Sequence, residues 1–304
     1  FYAELNLSLY QGVKTERDLE MRKLFRNLDF RKAISHAVDR EGIGAALVLG
    51  PMLKPLPSGF ASGDDYYDPK AVVSYPYDPK KAKDMLAKLG FKDTDRDGFV
   101  NWTKGPLKGE NLTIVAKVHE DQTANVDIAD AMVPLFEKVG IKLVPKIVKA
   151  TVGAAMDAAG EFEMNLARGD FMSAPYLVLA SLGPITPGTP NWHRAGPGDK
   201  RDLLPFEVRI SELLEKLKFE KTYEGRQKMF SEIQRLWTEN LYTIGIIEGI
   251  FNTGITKRFK NVPEGVPARL HQWFHANVLQ EQVWTPKEQQ LPEHLPGLVV
   301  LYKK

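Results

Sequence analysis

Asn111–Val148 reads NLTIVAKVHEDQTANVDIADAMVPLFEKVGIKLVPKIV, and the fold is read from this stretch outward. Asn111–Val118 and Ile141–Val148 are short apolar runs rich in β-branched residues, which predict strands. Between them, the apolar residues of Gln122–Val139 recur at helical spacing. Strand, helix and strand make a βαβ unit, whose crossover is expected to be right-handed. The same alternation continues downstream. An Ala-rich helix is predicted over Thr151–Ala159 and a strand over Phe162–Ala167. Amphipathic helices follow over Phe206–Phe219 and Tyr223–Asn240, the second carrying Met229, Ile233, Leu236 and Trp237, and then a strand over Tyr242–Phe251. Such an order predicts an α/β lobe with a central sheet and flanking helices.

Upstream, Phe1–Tyr10 reads as a strand with no turn or cap before it, as if taken from within a longer chain. Lys14–Arg26 is densely charged and is expected to be solvated. Leu28–Leu49 fits one helix, with Phe30, Ala33, Ile34, Ala37 and Val38 as its apolar stripe and Gly50-Pro51 as its stop. Pro51–Tyr77, rich in Pro, Gly, Asp and Tyr, reads as a long ordered loop. Asp78-Pro79 supplies an N-cap and a first-turn proline, Ala82, Met85, Leu86 and Leu89 a buried face, and Gly90 the C-terminal stop. Pro184–Gly198 reads as loop, and the tail from Val262 as proline-rich and irregular.

Lys and Arg total 41 against 39 Asp and Glu, so a net charge of +2 gives no electrostatic footprint for nucleic acid or an anionic membrane. The absence of cysteine excludes disulfides and thiolate metal sites. Apolar runs fall well short of the ~20 residues a membrane helix needs. No P-loop, GxSxG or dinucleotide glycine pattern occurs, and no carboxylate pair is singled out as acid and base, so neither catalysis nor a cofactor is indicated. Asp93, Asp95 and Asp97, followed by Gly98, have the alternate spacing of a calcium loop. Lys104 stands where the EF-hand pattern requires Glu, which favours a tight Asp/Gly turn over a metal site. His271 and His275 lack a third ligand for zinc. Tyr66, Tyr67, Tyr75, Tyr77, Trp102, Phe171, Tyr176, Trp192, Trp273 and Trp284 fall largely in predicted loops, where aromatic faces either recognise a ligand or pin the loop to the body.

Leu28–Ile43, LDFRKAISHAVDREGI, and Tyr77–Asp97, YDPKKAKDMLAKLGFKDTDRD, resemble two motifs of the extracytoplasmic solute-binding proteins that serve oligopeptide, dipeptide, nickel and some oligosaccharide ABC importers (family 5). Arg31, Ala33, Ala37, Asp39, Arg40 and Ile43 carry the first match, and the later order of elements agrees over roughly residues 1–260. The resemblance implies a type II periplasmic-binding fold, in which two α/β lobes joined by hinge strands close on a solute. This chain would be the C-terminal lobe, with the N-terminal lobe absent. Residues 1–20 would be the first hinge strand and a charged linker, 21–245 the lobe, and 246–304 the second hinge strand and a tail returning to the other lobe. The implied protein is a periplasmic or otherwise exported monomer that is not an enzyme. Its partners would be a solute and the importer's membrane subunits.

In peptide-binding relatives, an aspartate after the strand equivalent to Phe162–Ala167 captures the α-amino group of the ligand. Here the segment reads Arg168-Gly169-Asp170-Phe171-Met172-Ser173-Ala174-Pro175, and Met172 aligns with the anchoring position. Asp170 could substitute only if the loop shifts. Candidate ligand contacts are therefore Asp170, Phe171, Met172, Tyr176, Trp192, His193 and Arg194, with the Tyr66–Tyr77 loop next. Family base rates favour a peptide-like solute, and an oligosaccharide stacking on Phe171, Tyr176 or Trp192 is the alternative. A carbohydrate-active hydrolase, the reading from another class, would need two carboxylates facing each other across a cleft. A structural or interaction protein would make the hinge pattern a coincidence.

Overall fold

The computed structural model describes residues 1–47, 53–169, 175–184, 192–193, 202–249, 257–262 and 283–289. In chain order its elements are β1 (Tyr2–Leu5), α1 (Glu16–Arg26), α2 (Leu28–Ala37), α3 (Arg40–Leu47), β2 (Leu53–Pro55), α4 (Pro79–Lys88), β3 (Thr113–His119), α5 (Thr123–Glu137), β4 (Lys142–Val148), α6 (Ala150–Ala159) and β5 (Met164–Ala167). A 3₁₀ helix at Pro175–Leu182, then α7 (Pro205–Leu217), α8 (Tyr223–Glu239), β6 (Ile244–Gly245) and β7 (Ile247–Gly249) follow.

The βαβ reading of Asn111–Val148 is realised as β3, α5 and β4, with β3 and β4 paired in parallel from Thr113↔Lys142 to His119↔Val148. The main sheet has five strands in the order β4-β3-β5-β1-β6, with β5 parallel to β3 and β1 antiparallel to both β5 and β6. Alternate residues of β3 divide between its two faces, as strand geometry requires. Ile114, Ala116 and Val118 join Ile128, Met132 and Phe136 of α5 in the core. Lys117 and His119 turn the other way, toward Asp157 of α6.

Three expectations are corrected. The charged stretch Lys14–Arg26 is not simply solvated: it forms α1, capped by Thr15, and buries Met21, Arg22, Leu24 and Phe25. The single helix expected over Leu28–Leu49 divides into α2 and α3 at Val38-Asp39, and residues 48–50 lie outside the described set. The break has a local cause. The Ser35 carbonyl accepts from Val38 N and from the Arg40 guanidinium, while Asp39 Oδ1 caps the next turn through Gly42 N at 3.0 Å. All five residues of the predicted stripe are nonetheless fully buried. The strand expected over Tyr242–Phe251 changes partner midway. β6 pairs with β1, then β7 pairs with β2 in a separate two-stranded sheet, whose β2 lies within the predicted Pro51–Tyr77 loop.

The α4 start follows its sequence signature, with Lys81 N donating to Asp78 Oδ1 at 2.9 Å and Gly90 at φ +96°. The chain divides into two compact units after Ile250. Within the second, Lys260 and Trp284 form an antiparallel bridge. Among the described residues, no helix is long and apolar enough to cross a membrane.

Candidate functional site

The parallel strands β3, β4 and β5 end at His119, Val148 and Ala167, on one edge of the sheet. β1 begins there, since Tyr2 pairs with both Ala167 and Gly245, and β7 departs there. Loops at the carboxyl ends of parallel strands form the usual ligand crevice of an open α/β sheet, because the side chains after each strand converge there while the helices cover the faces. Along this edge Glu120, Asp121, Lys149 and Arg168 are exposed. Glu120 N donates to Val148 O at 2.9 Å, and Asn125 Nδ2 donates to Leu166 O at 3.3 Å, so the strand ends are tied to one another.

A second bank stands beside β7. Ser62 N donates to Glu248 Oε2 at 3.0 Å, which brings the Phe60–Asp68 loop to this edge. Tyr66 stacks on Tyr223 with ring centroids 5.5 Å apart and meets Phe230 at 4.6 Å. Tyr176, at the start of the 3₁₀ helix, lies 6.0 Å from Tyr66, and the Arg226 guanidinium sits 4.4 Å over its ring. Burial, then the Glu248 and Asp68 carboxylates, hold the Tyr67 phenol above its ordinary pKa. Tyr66 and Tyr176 are half-buried and Tyr223 is exposed, so the cluster offers ring surface with polar groups at its border.

The edge is braced by Arg40 of the Leu28–Ile43 motif. Arg40 is buried, and its Nε donates to Gly245 O at 2.8 Å and Leu56 O at 3.2 Å. Its Nη2 reaches Ser35 Oγ at 2.9 Å and Pro57 O at 3.3 Å. Arg31 likewise donates to Phe25 O and Asn240 O, at 2.7 and 2.8 Å. Burial lowers both guanidinium pKa values to about 10, and carbonyl dipoles take the place of water around them. Gly245 must be glycine, because a Cβ there would lie 2.2 Å from Leu56 O. Thus α2, α3, the Leu56-Pro57 turn and β6 form one joint where the chain passes between the two sheets. The motif located these arginines, but their role as carbonyl-bound braces needed the tertiary structure.

The predicted contact residues separate. Tyr176 lies in the aromatic bank. Trp192 and His193 are brought into the interior instead: Trp192 is fully buried, stacks on Tyr242 at 3.7 Å and donates through Nε1 to Tyr242 O at 2.7 Å. His193 Nε2 lies 2.9 and 3.0 Å from the two oxygens of buried Glu207, which also accepts from Tyr242 Oη at 2.7 Å. Both residues are therefore packed in the interior. Asp170, Phe171, Met172 and Arg194 lie outside the described residues, as do His271 and His275.

Asp93, Asp95 and Asp97 are exposed and bring carboxylate oxygens within 4.8 Å of one another. Those oxygens serve their own loop: Asp93 accepts from Arg96 N and Gly98 N, and Asp97 from Phe99 N and Asn111 Nδ2. The Phe99 amide, followed by Asn111, draws the Asp97 carboxyl below its ordinary pKa. These contacts are those of a closed Asp/Gly turn.

Residues 1–183 match the family model described as "Bacterial extracellular solute-binding proteins, family 5 Middle". The periplasmic alpha-galactoside-binding protein of Rhizobium meliloti is 35% identical over 94% of this chain and 42% of its own length. The oligopeptide-binding protein AppA of Bacillus subtilis is 29% identical over 43% of this chain and 23% of its own length. Among solved structures, the periplasmic binding protein MelB of Agrobacterium fabrum, in complex with stachyose, superposes with a TM-score of 0.85 at 31% identity, covering 97% of this chain and 44% of that one. The oligopeptide-binding protein OppA, at 19% identity and a TM-score of 0.66 over 86% of this chain, shares the fold. The chain thus spans less than half the length of these relatives. With a family match over more than half of its residues and the fold to go with it, the chain belongs to the bacterial extracellular solute-binding proteins of family 5.

Proposed function

We propose that this chain supplies one lobe of the solute-binding component of an ABC importer, and that the solute is an oligosaccharide of the α-galactoside class. The observation that carries the choice of solute is coverage. The α-galactoside-binding relative aligns over 94% of the chain at 35% identity, whereas the AppA alignment covers 43% at 29%. The geometry supports the same reading. Tyrosine faces at Tyr66, Tyr176 and Tyr223 suit the apolar faces of sugar rings, and Arg226 over the Tyr176 ring, with the exposed Glu120, Asp121, Lys149 and Arg168 at the strand ends, can exchange hydrogen bonds with hydroxyls. Segment 170–174 belongs to the proposed site through its place in the chain, between the end of β5 and Tyr176.

In the whole protein, the first hinge strand would be within residues 1–20, the lobe within 21–245 and the second hinge strand and tail within 246–304. Solute held between two lobes would present a closed form to the membrane subunits on the periplasmic side, without chemical change to the solute. A peptide-like solute remains the second reading, favoured by the AppA relationship. It must operate with Met172 at the position that aligns with the amine-capturing aspartate.

Isothermal titration of the full-length protein with stachyose and with unmodified and N-acetylated tetrapeptides decides between them. Saturable stachyose binding that Tyr176→Ala weakens, with no peptide binding, is the expected result. Tight binding of the free-amine peptide, lost on acetylation or in Asp170→Asn, would overturn the oligosaccharide assignment.

A further inference from the structure

Residues 56–78, between β2 and α4, hold neither helix nor strand, yet they carry Tyr66 and Tyr67 to the strand-end edge. A connection of this length samples many conformations unless something fixes its backbone. Here one face of α8 does so. Tyr223, Gln227, Ser231, Gln234 and Thr238 follow one another at intervals of four, four, three and four residues, which sets them in one row along the helix. All five meet the loop, in the same order along both segments. Tyr223 Oη donates to Asp65 O at 2.9 Å, and Gln227 Nε2 to Tyr66 O at 3.4 Å. Ser231 Oγ donates to Asp68 Oδ2 at 2.6 Å, and Asp68 N to Gln234 Oε1 at 3.0 Å. Val73 N donates to Thr238 Oγ1 at 3.0 Å.

Packing alone does not call for this row. α8 already gives Phe230, Ile233 and Trp237 to the core, and burying the polar ends of Gln234 and Thr238 is costly without partners. The loop backbone supplies those partners. Asp68 is the fixed point, because its Oδ1 also accepts from Lys70 N at 2.9 Å and its carbonyl from Ala71 N at 3.0 Å. Two residues before it, the Tyr66 ring rests on Phe230 of the same helix. We propose, on the reading that solute lies against the tyrosine bank, that α8 is a template that sets this loop before solute arrives. Ser231, Gln234 and Thr238 are then positioning residues for solute binding, acting through Tyr66. A loop ordered in advance spares the bound state the entropy of ordering it.

Hydrogen–deuterium exchange of residues 65–73 and calorimetric titration with stachyose, both on the full-length protein, test the template. Wild type is compared with Ser231→Ala, Ser231→Thr and Thr238→Val. In wild type the solute-free loop should exchange slowly and gain little protection from stachyose. Ser231→Ala and Thr238→Val should each speed its exchange several-fold while α7 and β3 keep their rates. Both should weaken stachyose binding by a few-fold to about tenfold, through a less favourable entropy. Ser231→Thr, which keeps the hydroxyl, should restore both readouts. Faster loop exchange with unchanged affinity would overturn the positioning role. A wild-type loop protected only when stachyose is bound would overturn the template. Should Thr238→Val not fold, Ser231→Ala decides, because Ser231 is only half-buried. A wild type that does not bind stachyose removes the oligosaccharide reading instead. The template is then judged on the solute-free loop, where equal exchange in all variants overturns it.

Discussion

Two aromatic groups in this chain look alike in the sequence and differ in the fold. Trp192, with Tyr242, Trp237 and Phe206, forms a cluster whose polar atoms bond inward: Trp192 Nε1 to a carbonyl, and Tyr242 Oη to Glu207. Tyr176, with Tyr66, Tyr223 and Arg226, forms a cluster at the strand-end edge that leaves ring surface in solvent. Both groups draw on loop aromatics flanked by polar and small residues. The difference teaches that an aromatic side chain on a loop becomes structural when a buried acceptor waits for its polar end. It keeps ring surface in solvent when the backbone leaves one face uncovered.

The comparison breaks most readily at Trp192. Trp192→Ala should cost about 3–5 kcal/mol in urea denaturation, because it empties a fully buried site facing Trp237 and Tyr242. A loss under about 1 kcal/mol would mean that this ring is not part of the core. Next comes Glu207→Gln, expected to cost about 2 kcal/mol, since Glu207 accepts from His193, Tyr242 and Leu204 N with no exposure to solvent. Burial, followed by the Glu207 charge, pushes the Tyr242 phenol well above its ordinary pKa, so this tyrosine should stay neutral in spectrophotometric titration until the lobe unfolds.

At the other cluster, Tyr176→Ala should change stability by less than ~1 kcal/mol yet reduce oligosaccharide affinity up to about tenfold. A large stability loss with unchanged affinity would place Tyr176 with Trp192. The smallest effect concerns His36, a buried ring whose Nδ1 lies 2.6 Å from Pro76 O and which meets Tyr75 edge-on at 6.0 Å. Burial holds its folded pKa below 6.5. The unfolded chain then binds the proton more readily. The His36 contribution is full above pH 6.5 and declines as pH falls from there toward the folded pKa. Stability measured from pH 8 to pH 5 should show this decline in wild type and a flatter profile in His36→Gln.

Local patterns carried most elements because they depend on short spacing. Asp78-Pro79, the apolar stripe of α2 and the β3–α5–β4 order are properties of consecutive residues, and the structure realises them close to their expected bounds. The errors occurred where a distant group decides. Arg40 takes the Ser35 carbonyl and divides a helix whose periodicity runs on unbroken. Tyr242–Phe251 is a continuous apolar run, yet its strand divides because β1 and β2 present their edges in different sheets. α1 is mostly charged by composition, yet Met21, Leu24 and Phe25 join the core and Arg22 reaches Gly160 O across 138 positions of chain.

By itself, the sequence determined the α/β class, the family resemblance through Arg31, Asp39 and Arg40, and the absence of disulfide chemistry. Each of these rests on residue type and near spacing. Only the tertiary structure decided which aromatics face solvent and what the motif arginines hold. The physical reason is the same in each case. Exposure and hydrogen-bond satisfaction are set by groups tens to hundreds of residues away, and no local pattern encodes whether such a partner arrives.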